Sequence, residues 1–248
     1  MKKDRIRAWA VVFWLAVWQM GAMALDSDIL LVSPAGVLLR LGQLLPTAAF
    51  WRSVLFSFGR ISLGFFIAAS VSAVLAALSY RFKLIRELLT PLMLAIRSVP
   101  VASFIILVLV WFSSRSLSVL ISFLMVLPII YSSVLTGIST CDKQLIEMAA
   151  VFKMPTARRI RYIYLPQVMP FFKSGCGSAL GLCWKAGIAA EVIGMPTGSI
   201  GEKLQQAKVY LDTPDLFAWT LVIVLVSLLF ERMFIALLNK AERILARV

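Results

Sequence analysis

The sequence predicts an all-α integral membrane protein with six transmembrane helices. Three observations carry that expectation. Hydrophobic residues make up 61% of the 248 positions and charged ones only 15%, whereas soluble domains carry about a quarter charged residues. The apolar residues come in long runs with few charges, each long enough to cross a hydrocarbon core at ~1.5 Å per residue. Lysine and arginine gather at alternate junctions between the runs, the distribution that membrane topology imposes.

Taken in order, Lys2, Lys3, Arg5 and Arg7 form a basic tail, and residues 8–25 follow as an uncharged first span holding Trp9, Trp14 and Trp18. A cleaved signal peptide is the competing reading, because Ala22-Met23-Ala24 resembles a cleavage site. The apolar run exceeds a typical signal core, which favours a retained span. Residues 26–50 contain Pro34, Gly36, Gly42 and Pro46 and read as an external loop with a short interfacial helix. The second span, 53–80, is rich in small residues that let helices approach closely where lipid supplies no hydrophobic drive.

The third span, 88–112, is interrupted, with Pro91 and Pro100 bracketing Arg97 and Ser98. Proline at membrane depth frees backbone carbonyls, which are tolerated only against protein or a wet cavity. Arg97 and Ser98 are therefore candidates for a kink or for lining a pathway. The fourth span, 117–139, carries Pro128 and the polar residues Tyr131 and Ser132. The fifth, 169–193, carries Lys185 and Glu191. A charge at that depth is expensive, so Lys185 is expected to face a cavity or a counter-charge. Glu191 lies six residues away, about 240° round a helix, so the counter-charge is expected from elsewhere. A short helix is expected within 200–210, and the sixth span is 216–238.

Between the fourth and fifth spans lies a polar, basic island, 140–168. A helix-period segment (Leu145, Met148, Ala149, Phe152) stops at Met154-Pro155, and Thr156–Tyr164 is expected to form a second helix ended by Leu165-Pro166. Glu147 and Ala149, followed at fixed distance by Ile163-Tyr164-Leu165-Pro166, resemble the cytoplasmic loop of ABC importer permeases. The family pattern is Glu-Ala-Ala, three residues, Gly, nine residues, Ile-x-Leu-Pro. Lys153 stands where the family has Gly, so Met154-Pro155 is expected to supply the break. The resemblance runs from about Trp51 to the C-terminus and is nearest to the sulfonate/nitrate/taurine group of permeases.

The resemblance implies a single permease domain over 1–248 with the type I importer fold, forming the pathway for a small solute, either a sulfonate-, nitrate- or taurine-like anion or a pyrimidine precursor of thiamine. It implies a coupling helix in the loop that sits on an ATPase subunit. Glu147 would be its polar anchor, Ala149 and Ala150 its points of close approach, and Met148 and Phe152 its apolar grip. Lys153 lies beside them, with Ile163, Leu165 and Pro166 at the loop's end. Arg97, Ser98, Tyr131, Ser132, Lys185 and Glu191 become pathway candidates. The implied partners are two ABC ATPase subunits, a second permease copy or paralogue, an extracytoplasmic solute-binding protein and the bilayer.

What is absent from the sequence narrows the function further. There is no histidine, which excludes His-ligated metals and His-based triads. No Gly-x-x-x-x-Gly-Lys-Ser/Thr loop occurs, so no cofactor is expected on this chain, and ATP with Mg belongs on a partner. Cys141, Cys176 and Cys183 lack Cys-x-x-Cys spacing and read as small buried hydrophobes. The +13 net charge lacks the aromatic interleaving of a nucleic-acid surface. With six spans both termini share a side, and the basic junctions place them and the loop in the cytoplasm, while the resemblance implies a bacterial cytoplasmic membrane. A secondary transporter or channel, or a membrane enzyme, would share the spans. Repeated halves with paired broken helices, and a nucleophile beside clustered carboxylates, are both missing.

Overall fold

The computed structural model describes residues 8–25 and 31–245, and the basic tail and Arg247 lie outside the described residues. Among the described residues every regular element is a helix. The helices are Ala8–Leu25 (α1), Pro34–Leu44 (α2), Ala48–Arg81 (α3), Lys83–Ser98 (α4), Val101–Trp111 (α5), Ser114–Ser139 (α6) and Lys143–Val151 (α7). They continue as Thr156–Arg159 (α8), a π turn at Ile160–Tyr164, Leu165–Gly194 (α9), Ile200–Val209 (α10) and Thr213–Leu245 (α11). The interfacial helix expected before the second span is α2, started by Pro34 and capped by Ser33, whose hydroxyl accepts from the Gly36 N–H.

Interhelical contacts give the direction of each helix. Gly64 of α3 packs on the Val119 carbonyl of α6, Ser72 donates to the Leu127 carbonyl, and Tyr131 donates to Ser79. Both residue numbers rise together, so α3 and α6 run parallel. Gly194 of α9 meets Leu117 and Gly175 meets Ser133, so α9 runs antiparallel to α6. The rings of Phe50, Phe58 and Phe65 meet Trp219, Phe230 and Phe234 in turn, so α11 is parallel to α3. A parallel α3 and α6 require the chain between them to cross back. That crossing is α4 and α5, bent by 107° at Val99-Pro100.

The expected six crossings are matched only in part among the described residues. Four helices are long and apolar enough to cross a membrane alone, the bent pair is a fifth crossing, and α1 is apolar but shorter. A bilayer core needs about 20 residues. The third span thus arrives as two pieces of 16 and 11 residues, because Pro100 offers no N–H and holds Val99 extended. α1 is anchored through Trp18, whose indole N–H donates to the Val32 carbonyl and whose ring meets Phe217.

One expectation fails at the loop's exit. Leu165-Pro166 does not end a helix, and Met169 does not begin one, because α8, the π turn and α9 form one continuous helix over Thr156–Gly194. Proline in a regular helix clashes with the carbonyl four residues back. Here the Leu165 N–H reaches the Ile160 carbonyl five residues back. The wider turn carries the chain past Pro166 without a break, as π turns do.

Candidate functional site

Two regions carry the residues singled out by the sequence. The first is the loop at the end of the bundle where α6 stops. Asp142 caps α7 by accepting from the Gln144 N–H at 2.8 Å, while its own N–H donates to Gln167 Oε1 at 2.9 Å. That second bond ties the start of α7 to the first turns of α9. Cys141 and Ala149 are buried beneath the helix. Burial pushes the Cys141 thiol pKa up from its ordinary value.

α7 ends in a two-bond C-terminal motif. The Lys153 N–H donates to the Ala150 carbonyl and the Met154 N–H to the Ala149 carbonyl, at 3.0 and 2.8 Å. Lys153 takes φ = 51°, the left-handed conformation this motif requires and glycine usually supplies. The glycine turn of the family pattern is therefore kept without the glycine. A side chain in that conformation costs about 1–2 kcal/mol. Met154-Pro155 follows the turn and does not create it.

The motif sets which side chains face outward. Val151 is 79% exposed and Phe152 75%, with Leu145 and Met148 partly open beside them. Glu147 and Ala150 are exposed as well, as are Lys153, Arg158 and Arg161. Ala149 is fully buried, so it cannot give close approach to a partner and instead seats α7 on its own chain. Of the loop-end residues, Ile163 is buried in the π turn, and Leu165 and Pro166 are exposed at the start of α9. Val151 was missed by the sequence reading. Its signal is its adjacency to Phe152 at the end of a short helix.

The second region is the bend between α4 and α5. Ile96, Arg97, Val99, Val101, Met125, Pro128, Ile129 and Leu182 line a cavity of about 300 Å³ there. The Arg97 guanidinium donates to the Pro128 carbonyl and, at 2.6 Å, to the Ser132 hydroxyl. Ser98 donates back to the Leu94 carbonyl and remains exposed beside it. Ser132, which holds Arg97, also lines a separate hollow of about 200 Å³ with Ser133, Thr136, Phe171 and Ser174. Arg97 and Ser132 are thus brought together, and Ser174 and Phe171 join them from α9. The 171–174 step on the face that also holds Ser178 and Lys185 was the signal for these two.

Three pathway candidates lie elsewhere. Tyr131 is buried, its hydroxyl donating to Ser79 at 3.0 Å, because its helical position faces α3. Glu191 is fully buried in the last turn of α9. Its Oε2 accepts from the Ser57 hydroxyl at 2.6 Å and from the Gly201 N–H at 3.3 Å, and Ser57 in turn accepts from the Ile200 N–H. Glu191 therefore fastens the N-terminus of α10 to α3 and α9. A carboxylate at a helix N-terminus is favoured by the dipole and by the open N–H groups. Lys185 is exposed on α9, one turn beyond Leu182 of the cavity wall, with no ion-pair partner among the described residues. No counter-charge for Lys185 is found among the described residues.

A helical membrane subunit with a loop tied to α9 and presenting apolar side chains, and a cation beside a broken crossing, has the parts of a transport permease. Residues 68–242 match the family described as binding-protein-dependent transport system inner membrane component, and the chain belongs to that family. It is similar to two proteins named "Putative aliphatic sulfonates transport permease protein SsuC". The one from Bacillus subtilis is 26% identical over 91% of this chain and 82% of its own length. The one from Escherichia coli is 29% identical over 84% and 80%. The taurine transport system permease protein TauC of Escherichia coli is 26% identical over 86% and 80%. The chain is a multi-pass membrane protein and a transport permease of the ABC importer class.

Proposed function

We propose that this chain is the translocation subunit of an ATP-driven importer of a small anion of the sulfonate or taurine kind, and that residues 140–168 dock an ATPase subunit. The observation that carries the docking reading is the exposure of Val151 and Phe152 at the end of a helix that is itself held fast. An exposed apolar pair on an anchored element is what a partner groove recognises. Met148 and Leu145 extend the patch, and Glu147 adds a polar contact at its edge.

The continuous helix from Thr156 to Gly194 joins this loop to the opposite membrane face, so displacement of the loop moves α9 as one rod. ATP and Mg sit on the partner, two ATPase subunits act on two permease copies, and a solute-binding protein delivers cargo at the opposite face. The loop and both termini are cytoplasmic, as the basic junctions require. The substrate class rests on the names of the relatives and on the cations Arg97 and Lys185. Arg97 offers an anion a planar donor fork beside a bend in the backbone.

The docking reading is tested by Val151→Ser with Phe152→Ser in the full chain, co-expressed with its ATPase subunit. Loss of co-purification with an intact, monodisperse permease supports it. Unchanged co-purification and uptake contradict it.

A further inference from the structure

Lys153 occupies a position where its side chain works against the fold. Its backbone sits at φ = 51°, where glycine is at ease and a Cβ is not. Its ammonium has no hydrogen-bond or ion-pair partner among the described residues, and the side chain is exposed. Among the described residues no hydrogen bond or ion pair of its side chain offsets that conformation. Strain of this kind persists at positions that serve binding.

The surroundings say what is bound. Lys153 follows directly on Val151 and Phe152, the two most exposed apolar side chains of the loop. Arg158 and Arg161 are exposed a short distance along the chain. An apolar knob with a cation at its edge is complementary to an apolar groove with a carboxylate on its rim. We propose that Lys153 is a specificity-determining contact, seated against an acidic side chain on the groove of the ATPase subunit that receives this loop. The inference rests on the docking reading and deepens it. Charge pairs at a rim choose among similar partners more than they add affinity, so Lys153 marks which ATPase fits this permease.

The test uses the full chain in nanodiscs and its co-expressed ATPase subunit, with affinity measured at low and high salt for Lys153→Gly, Lys153→Arg and Lys153→Glu. The glycine variant is expected to unfold at a higher temperature than the parent, yet to bind about tenfold more weakly at low salt, with the difference shrinking at high salt. Arginine is expected to keep parental affinity, and glutamate to bind about a hundredfold more weakly at low salt. A glycine variant that binds with parental affinity and parental salt dependence overturns the proposal. The Val151→Ser, Phe152→Ser variant separates the two claims. If it abolishes binding while Lys153→Gly leaves it unchanged, only the role of Lys153 falls. If it too binds normally, the docking reading falls with it.

Discussion

Ser57 donates a 2.6 Å hydrogen bond to Glu191, and neither residue is exposed to solvent. The pair joins α3 to the last turn of α9 and, through the Ile200 and Gly201 amides, to the first turn of α10. A glutamate that the sequence offers as a pathway residue is in this fold a fastener for the end of the bundle opposite the loop.

Glu191→Ala therefore removes an acceptor from two buried donors, at a cost of about 1–3 kcal/mol per unsatisfied group. Thermal unfolding in detergent is expected to fall clearly, while Glu191→Gln, which keeps a carbonyl acceptor, falls less. A pathway role would instead show as altered substrate affinity with unaltered stability.

Close helix approach makes a second contrast. A Cβ on Gly201 would lie 2.3 Å from that of Glu191, and one on Gly64 would lie 2.4 Å from the Val119 carbonyl oxygen, whereas one on Gly59 meets nothing within 4 Å. Gly64→Ala and Gly201→Ala are expected to destabilise by about 1–3 kcal/mol through forced backbone shifts. Gly59→Ala, inside α3, is expected to stabilise by about 0.5–1 kcal/mol. Unfolding midpoints of the three variants check the ordering.

Arg97 holds α4 to α6 at the bend through Pro128 and Ser132. Arg97→Gln is expected to reduce uptake severely while leaving ATPase co-purification intact, since the cavity and the loop are separate regions. Uptake equal to the parent would remove Arg97 from the pathway.

The Cys141 thiol, with its pKa raised by burial, holds less thiolate than an exposed cysteine at any pH below that raised value. Alkylation by a maleimide at neutral pH is expected to be slow in the folded protein and to quicken as pH rises. It is also expected to quicken at fixed pH once denaturant exposes residue 141. Rapid labelling of the folded chain at neutral pH would show that Cys141 is not packed under α7.

Much of this architecture was legible in the sequence, for reasons that are physical. Apolar length and basic junctions depend only on the bilayer, so α3, α6, α9 and α11 lie where the runs lie. Pro100 announced the break in the third crossing, though not the 107° bend, which depends on how α4 and α5 pack on α6. Pro166 misled, because a π turn absorbs a proline and no local residue signals one. The loop spacing pointed to Glu147 and Phe152, but only the C-terminal motif of α7 shows that Ala149 turns inward and Val151 outward. Tyr131 and Glu191 were misplaced for one reason. A polar side chain in a span reads the same whether it faces a pathway or a hydrogen-bond partner on the next helix.

The measurement that bears most directly on the account is site-specific photocrosslinking in the assembled transporter, with the reactive side chain at Phe152 in one preparation and at Tyr210 in another. Both are widely exposed, at 75% and 80%, and they lie at opposite ends of the bundle. The account predicts an adduct with the ATPase subunit from position 152 and none from position 210. An ATPase adduct from 210, with none from 152, would contradict it.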